Sequence, residues 1–220
     1  MNASDPNELF RMLLVEDNSV LNWGLTQHIL RTFKGVTVLR AETVEDALKQ
    51  IDSCETSALD VALQDIRVPR RAGEADVASV DVTNRLKALG VRSLFMTGYG
   101  ASDDVKSFIQ HQRLTDPQIA IILKNDVSAL KDNVLNQLRS LFIDIASRRI
   151  SERLTNLFHT SEQFTTTHTG TASLLTLTRD IARYWSYLDE ATKKRVLARF
   201  DVRLSDQGVD NVLLTPAGPN

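Results

Sequence analysis

Short apolar runs and segments with helical periodicity alternate five times through the first 130 residues of the chain. The apolar runs are continuous, which is typical of strands buried on both faces of a parallel sheet. The predicted strands are Met12–Val15, Val36–Arg40, Leu59–Asp65, Val91–Met96 and Ile119–Leu123. Because parallel strands are joined by right-handed crossovers, the pattern predicts an α/β fold with a five-stranded parallel, doubly wound sheet.

The segments between these strands carry helix signals. Apolar residues at helical spacing predict a helix over Val20–Phe33, with Asn18 or Ser19 as its N-cap. Thr43 is expected to cap the helix that follows, because its hydroxyl can accept a hydrogen bond from a backbone amide in the first turn. Further helices are predicted over Val77–Leu89, over Asp103–Gln110 and from about Asp126 onward.

Polar side chains stand at four of the five predicted strand ends. They are Glu16 and Asp17 after the first strand, Asp65 at the end of the third, Thr97 after the fourth and Lys124 after the fifth. Because the carboxyl ends of parallel strands share one edge of the sheet, we expect these side chains to meet. Three carboxylates repel one another unless a cation joins them, and their hard oxygens suit Mg²⁺. A hydroxyl and an ammonium beside the metal could hold the other oxygens of a phosphoryl group.

These motifs resemble the receiver domain of two-component response regulators. The matching segments are LLVEDN at 13–18, DIRVP with a glycine at 65–73, FMTG at 95–98 and ILK at 122–124. The resemblance covers roughly residues 10–145 and implies a flavodoxin-like sheet. It also implies a phosphoacceptor signalling protein, which catalyses only its own phosphorylation and dephosphorylation and is not an enzyme with a separate substrate.

The resemblance implies the following metal and acceptor residues. Asp65 would be the phosphoacceptor, taking its phosphoryl group from a histidine kinase or a phosphotransfer protein. Asp17 would bind Mg²⁺ directly and Glu16 through water, with Asp65 itself as a ligand. The backbone carbonyl of Arg67 would complete the protein ligands.

Two further residues would contact the phosphoryl group itself. By the same resemblance, Thr97 would bind a phosphoryl oxygen and report its arrival, and Lys124 would pair with the phosphoryl group. Arg67 and Tyr99 lie two residues beyond Asp65 and Thr97, at positions that flank the route of the attacking water in this family. We therefore expect both to influence the lifetime of the phosphoryl group.

The chain departs from the receiver pattern at three places on one side of the predicted sheet. Ile121 stands where the family usually has an aromatic residue, and Asn125 replaces the usual proline after the lysine. The polar stretch His111–Gln118 is predicted to be an insertion. Either an unusual output surface or neutral drift could account for these changes.

The C-terminal section has its own helical pattern. The apolar series from Asp126 shifts in phase near residue 147, which fits either one extended helix or two helices with a break near 147–149. A polar linker at 165–171, a helix over 174–188 and a third helix over Glu190–Phe200, capped by Asp189, are predicted to follow. The predicted domains are a receiver at 10–146, a helical section at 147–200 and a flexible tail at 201–220.

Three roles are open for residues 147–200. Dimerisation is favoured, because two or three helices of this size bury little core by themselves. The alternatives are DNA binding through a basic helix and phosphotransfer through a histidine. The candidate residues are Lys193, Lys194, Arg195 and Arg199 for DNA, and His159 and His168 for phosphotransfer. We see no clear recognition-helix pattern, so DNA binding is not favoured.

Composition narrows the class of protein but does not identify a function. The chain has 220 residues, 42% hydrophobic and 25% charged, which is typical of a globular protein. A net charge of −2 does not call for a nucleic-acid or membrane partner, although residues 147–200 are mildly basic. The single cysteine, Cys54, and the lack of a visible signal peptide or membrane span lead us to expect a cytoplasmic protein.

Overall fold

A computed structural model gives the architecture of the chain. It describes residues 8–54, 59–98, 102–115, 120–125, 127–161, 181–200, 202–205 and 208–214. The first elements are β1 (Phe10–Val15), α1 (Ser19–Thr32), β2 (Val36–Ala41), α2 (Val44–Ser53), β3 (Val61–Asp65), β4 (Arg67–Pro69) and β5 (Asp76–Ala78). They are followed by α3 (Val80–Ala88), β6 (Arg92–Thr97), α4 (Asp103–Thr115), β7 (Ile121–Leu123) and α5 (Val127–Ser161). The last elements are α6 (Glu190–Phe200), β8 (Val202–Ser205) and β9 (Gly208–Leu214).

The core of the N-terminal part is a five-stranded parallel sheet. Its strands lie in the order β2-β1-β3-β6-β7, and all neighbouring pairs are parallel. Counting only the strands of this sheet along the chain, the order is 2-1-3-4-5, which is the flavodoxin-like order of doubly wound sheets. Every residue of β3 is buried, as expected for a central strand with helices over both faces. The predicted fold class is confirmed.

The helix caps follow the predicted chemistry. The side chain of Asn18 accepts a hydrogen bond from the amide of Leu21 at 3.0 Å, and α1 begins at the next residue. The hydroxyl of Thr43 accepts one from the amide of Asp46 at 3.0 Å at the start of α2. Both side chains satisfy an amide that the first turn of a helix leaves without an intrahelical partner.

A short antiparallel hairpin follows β3, and the sequence did not predict it. Arg67 lies opposite Ala78 and Pro69 opposite Asp76, and Gly73 in the turn has a φ of +84°. The prediction that a helix starts at Val77 was therefore wrong: α3 begins three residues later. The apolar residues that α3 buries start only after the hairpin, so the periodicity alone overestimated the helix.

Helix α4 includes part of the stretch that was predicted to be an insertion. Residues 111–115 continue the helix to Thr115, and residues 116–119 lie outside the described part of the chain. Gln112 is buried there and accepts a hydrogen bond from the ammonium of Lys87 at 2.9 Å, which links α4 to α3. The polar residues of this stretch therefore belong to a packed helix, at least up to residue 115.

Helix α5 runs without interruption through residues 147–149, so the extended-helix alternative is correct. Asp189 caps α6 as predicted, accepting a hydrogen bond from the amide of Thr192 at 2.6 Å. Within residues 202–214, β8 and β9 pair as an antiparallel hairpin, and the flexibility predicted for 201–220 stays a prediction. The predicted linker at 165–171 lies outside the described residues, and the predicted helix over 174–188 is described only from residue 181.

Two compact units can be distinguished, Met1–Arg139 and Ser140–Asn220. Within the second unit, the rings of Phe142 and Tyr187 meet edge to face at 6.4 Å, and the guanidinium of Arg149 donates to the hydroxyl of Tyr184 at 3.0 Å. Among the helices that the structure describes, none combines the length and the apolar character needed to cross a membrane. The domain boundary proposed at residue 146 stays a prediction.

Candidate functional site

The strand register brings the polar strand-end residues to one edge of the sheet. Asp65 pairs with Met96 across β3 and β6, and Thr97 pairs with Leu123 across β6 and β7. The amide of Lys124 donates to the carbonyl oxygen of Thr97 at 2.9 Å, which fixes the lysine beside the end of β6. The sheet thus places the acid of β3, the hydroxyl of β6 and the lysine after β7 at neighbouring strand ends.

The ammonium group of Lys124 joins two buried carboxylates. It lies 2.5 Å from Oε2 of Glu16 and also contacts Oδ2 of Asp65. The side chain of Glu16 is 1% exposed and that of Lys124 is 14% exposed. One cation therefore compensates two acids that have little access to water.

Backbone groups fix the other carboxylate oxygens. The amide of Asn18 donates to Oε1 of Glu16 at 3.3 Å, and the amide of Arg67 donates to Oδ1 of Asp65 at 3.2 Å. The hydroxyl of Ser79 donates to the backbone carbonyl of Asp65 at 3.0 Å. Ser79 was not among the predicted residues, and its place before α3 could have suggested a helix cap but not this bond.

Burial dominates the electrostatics of the three groups. Desolvation raises the pKa of Glu16 to about 7, against the opposing attraction of Lys124. Desolvation also raises the pKa of Asp65, again opposed by Lys124. Burial by itself lowers the pKa of Lys124, but the carboxylates of Asp65 and Glu16 outweigh it, so the pKa lies above its ordinary value. The site is therefore short of positive charge.

The acidic groups form a suitable cation site. Carboxylate oxygens of Glu16, Asp17 and Asp65 lie within 4.8 Å of one another, and Asp17 faces solvent. Three carboxylates, of which one faces solvent, are a donor set that Mg²⁺ accepts, because this ion keeps part of its water shell. These residues would hold the ion beside the oxygens of Asp65.

The remaining predicted residues are placed as follows. Thr97 is fully buried at the end of β6, and its role stays a prediction. Arg67 occupies the first position of β4, directly beyond the acceptor strand, and its carbonyl as a metal ligand is likewise untested. Tyr99 lies outside the described residues. Ile121 is half-buried and packs against the cluster that contains Phe95 and Phe108, whose rings meet at 5.2 Å.

The strand order and the residues at the strand ends are those expected of a receiver domain. The N-terminal part of this chain has the receiver fold. Solved receiver domains are also among its structural neighbours, and their likeness concerns the fold alone. The chain matches no known family model, and no curated protein matches it.

Three of these neighbours resemble the chain to a similar extent. A CheY-like response regulator receiver domain protein from Methanospirillum hungatei is 23% identical, with a TM-score of 0.45, and the match covers 61% of this chain and 97% of that one. The HemR receiver domain from Leptospira biflexa is 20% identical, with a TM-score of 0.45 and coverage of 60% and 94%. A receiver domain protein from Clostridium thermocellum is 19% identical, with a TM-score of 0.43 and coverage of 60% and 99%.

The residues considered for DNA binding and for histidine phosphotransfer lie in the C-terminal section. Lys193 pairs with Glu190 at 2.7 Å, and Arg195 donates to the hydroxyl of Thr192 at 2.8 Å. Lys194 is exposed, and the side chain of Arg199 lies outside the described part of the chain. His159 lies in α5 with its side chain undescribed, and His168 lies outside the described residues. Nothing in the described part of this section favours DNA binding or histidine phosphotransfer.

Proposed function

We propose that this protein is a response regulator of two-component signalling, with Asp65 as its phosphoacceptor. The observation that carries the proposal is the contact of Lys124 with both Glu16 and Asp65 at the carboxyl edge of the sheet. A lysine held against an acceptor carboxylate, beside a further carboxylate at Asp17, is suited to a phosphoryl group and a divalent cation. The phosphoryl donor would be a histidine kinase or a phosphotransfer protein.

The transfer is an in-line displacement at phosphorus. A carboxylate oxygen of Asp65 forms the new O–P bond while the P–N bond to the donor histidine breaks, and its electron pair returns to the imidazole nitrogen. Lys124 already contacts Oδ2 of Asp65, so its ammonium can neutralise the phosphoryl oxygens as they arrive. Thr97 would donate its hydroxyl to another of these oxygens. When bound, Mg²⁺ would add positive charge on the side of Glu16 and Asp17.

The acyl phosphate would later be hydrolysed by water, so that the protein acts as a timed switch and not as an enzyme with a separate substrate. Arg67 and Tyr99 would influence this lifetime. A phosphate-release series on Arg67→Ala and Tyr99→Ala tests that role, which is lost if neither variant changes the rate.

The output would be dimerisation or binding of another protein through the helical section of residues 147–200. Two of the four basic residues considered for DNA are engaged within α6 itself, which lowers the support for the DNA alternative. A salt-dependent mobility shift with DNA would revive that alternative.

Phosphoryl uptake is tested with acetyl phosphate and MgCl₂ on the full chain, followed by intact mass. We expect the mass of one phosphoryl group on the protein and none on Asp65→Asn. Asp81→Asn is the matched control, because Asp81 is exposed and pairs with Arg70 at the surface. No uptake by the unaltered protein, together with no shift of Asp65 on adding beryllium fluoride and Mg²⁺ in NMR, would sink the proposal.

A further inference from the structure

Arg67 connects the acceptor aspartate to the start of α4 through a single residue. Its backbone amide donates to Oδ1 of Asp65 at 3.2 Å. Its guanidinium donates from Nη2 to the carbonyl oxygen of Asp76 in β5 at 2.9 Å. The same guanidinium pairs through Nη1 with Oδ2 of Asp104, the second residue of α4, at 3.1 Å. Acceptor, hairpin and helix are thus all contacted by one residue, the acceptor through its backbone amide and the other two through its guanidinium.

The ion pair between Arg67 and Asp104 is partly exposed and contributes little free energy, so it can be broken easily. The side chain of Arg67 is 26% exposed and that of Asp104 is 47% exposed. Partly exposed pairs of this kind shift an equilibrium by no more than about fivefold. The bond from Arg67 to Asp76 lies within the hairpin and does not involve Asp104, so it can hold the guanidinium at the hairpin when Asp104 leaves.

This connection lies where the usual receiver route is altered. Ile121 has no aromatic ring to turn toward a displaced threonine, and it packs in the cluster that includes Val105 and Phe108 of α4. The Arg67–Asp104 pair reaches the same helix without using Thr97. The pair is polar, and it includes the residue whose backbone amide contacts Asp65.

We propose that Arg67 couples the phosphoryl state of Asp65 to α4 by exchanging anionic partners. Phosphorylation adds negative charge and three acceptor oxygens close to the amide of Arg67. A guanidinium binds phosphoryl oxygens in a two-pronged fashion, which a single carboxylate oxygen of Asp104 does not offer. The guanidinium therefore turns toward the phosphoryl group, Asp104 is released, and the first turns of α4 loosen. This inference rests on the proposed function of Asp65.

The test is hydrogen–deuterium exchange of α4 in the full chain, with and without beryllium fluoride and MgCl₂. In the unaltered protein, we expect the mimic to speed exchange in the first turns of α4 by about two- to fivefold. In Asp104→Asn, exchange there should already be faster by a similar factor, and the mimic should add little. By reciprocity of coupled equilibria, this variant should also bind the mimic about two- to fivefold more tightly.

Asp103→Asn is the matched control, because it removes an acid from the same turn of α4. The ion pair of Asp103 is local, with Lys106 three residues away at 3.3 Å, whereas Arg67 pairs with Asp104. The response of this variant to the mimic should equal that of the unaltered protein. A second variant, Arg67→Gln, should loosen α4 without the mimic, and adding Asp104→Asn to it should change exchange no further.

The outcomes separate this inference from the proposed function. If the unaltered protein does not bind the mimic at Asp65, the phosphoacceptor proposal fails and the coupling fails with it. If it binds the mimic while Asp104→Asn shows the same exchange response as the unaltered protein, the coupling alone is overturned. Equal effects of Asp103→Asn and Asp104→Asn would also overturn it, because they would reflect only the charge at a helix terminus.

Discussion

Lys124 supplies the positive charge that compensates the buried carboxylates of the site. Its ammonium is the cation that contacts both Glu16 and Asp65, and neither carboxylate is well exposed. Removing one partner of a buried ion pair leaves an uncompensated charge, which usually costs more than the pair contributes. The same property makes the lysine useful for chemistry, since a phosphoryl group brings further negative charge to a place already short of cations.

Replacing this lysine should strongly impair phosphorylation. For Lys124→Met we expect phosphoryl uptake from acetyl phosphate to slow by about 100-fold or more, the typical effect of removing one group that stabilises developing charge. Uptake is followed by intact mass over time. Lys193→Met is the control, because Lys193 pairs with Glu190 on its own helix, and it should keep the original rate. Equal rates in both variants would contradict the role of Lys124.

Tyr187 gives a prediction about pH that is independent of the phosphoryl site. Burial raises its pKa to about 12 from the ordinary value near 10. Since the folded state holds this proton more tightly than the unfolded state, Tyr187 stabilises the fold below pH 10, and that contribution is lost as the pH rises from 10 to 12. In an absorbance titration of tyrosinate, Tyr187→Phe should remove the step near pH 12. Loss of a step near pH 10 instead would contradict the shift.

The residues at the strand ends could be predicted from sequence because a parallel sheet fixes where its strands end. Glu16, Asp65 and Lys124 meet as expected. The contacts of Ser79 and of the Arg67 guanidinium could not be predicted, because they depend on how the chain after Asp65 folds back. Ser79 and Asp65, for example, are 14 residues apart in the sequence. The periodicity of apolar residues contains no information about such a contact.

At the scale of elements, the strands and caps were predictable and the hairpin was not. Predicted and observed bounds of the five sheet strands differ by no more than two residues at any end, as expected when boundaries are read from apolar runs. The hairpin β4–β5 has only three residues in each strand, and a proline ends the first. Strands of three residues are too short to show a recognisable alternation of apolar and polar positions. In addition, Pro69 favoured a loop over a strand.

Two glycines should respond to alanine substitution with opposite signs. Gly73 has a φ of +84° in the hairpin turn, so Gly73→Ala should lower the free energy of unfolding by about 1 kcal/mol. Gly24 lies inside α1, and a Cβ there would meet nothing within 4 Å, so Gly24→Ala should raise it by about 0.5–1 kcal/mol. Urea unfolding of both variants measures the difference. Destabilisation by Gly24→Ala would show that the glycine has a role that open space does not explain.

At the scale of the whole chain, α5 is the element whose continuity the apolar spacing left open. The apparent phase shift disappears when Phe142 and Ala146 are counted with the buried residues. The buried series then repeats every four residues: Leu130, Val134, Leu138, Phe142, Ala146, Ile150 and Leu154. Because a helix has 3.6 residues per turn, residues spaced by four shift gradually around its axis. A prediction that expects all buried residues on one straight face interprets this gradual shift as a break in the helix.

The solution mass of the chain tests the proposed output. For the full chain with beryllium fluoride and MgCl₂, we expect light scattering to report a dimer, and without the mimic mostly a monomer. Asp65→Asn should stay monomeric under both conditions. A mass that does not respond to the mimic, in a protein shown to bind it, would exclude phosphorylation-dependent dimerisation and leave capture of another protein as the output to test.

The hairpin after β3 also has a practical consequence. The amide of Ser79 donates to the carbonyl of Ile66 at 2.8 Å, and Arg67 lies opposite Ala78. The two ends of the hairpin are therefore held side by side. Its tip, residues 70–74, is exposed. Lengthening a loop whose ends are already joined costs little extra entropy. A foreign peptide, such as an epitope or a fluorophore-binding sequence, could therefore be spliced into the tip as a reporter a few residues from Asp65.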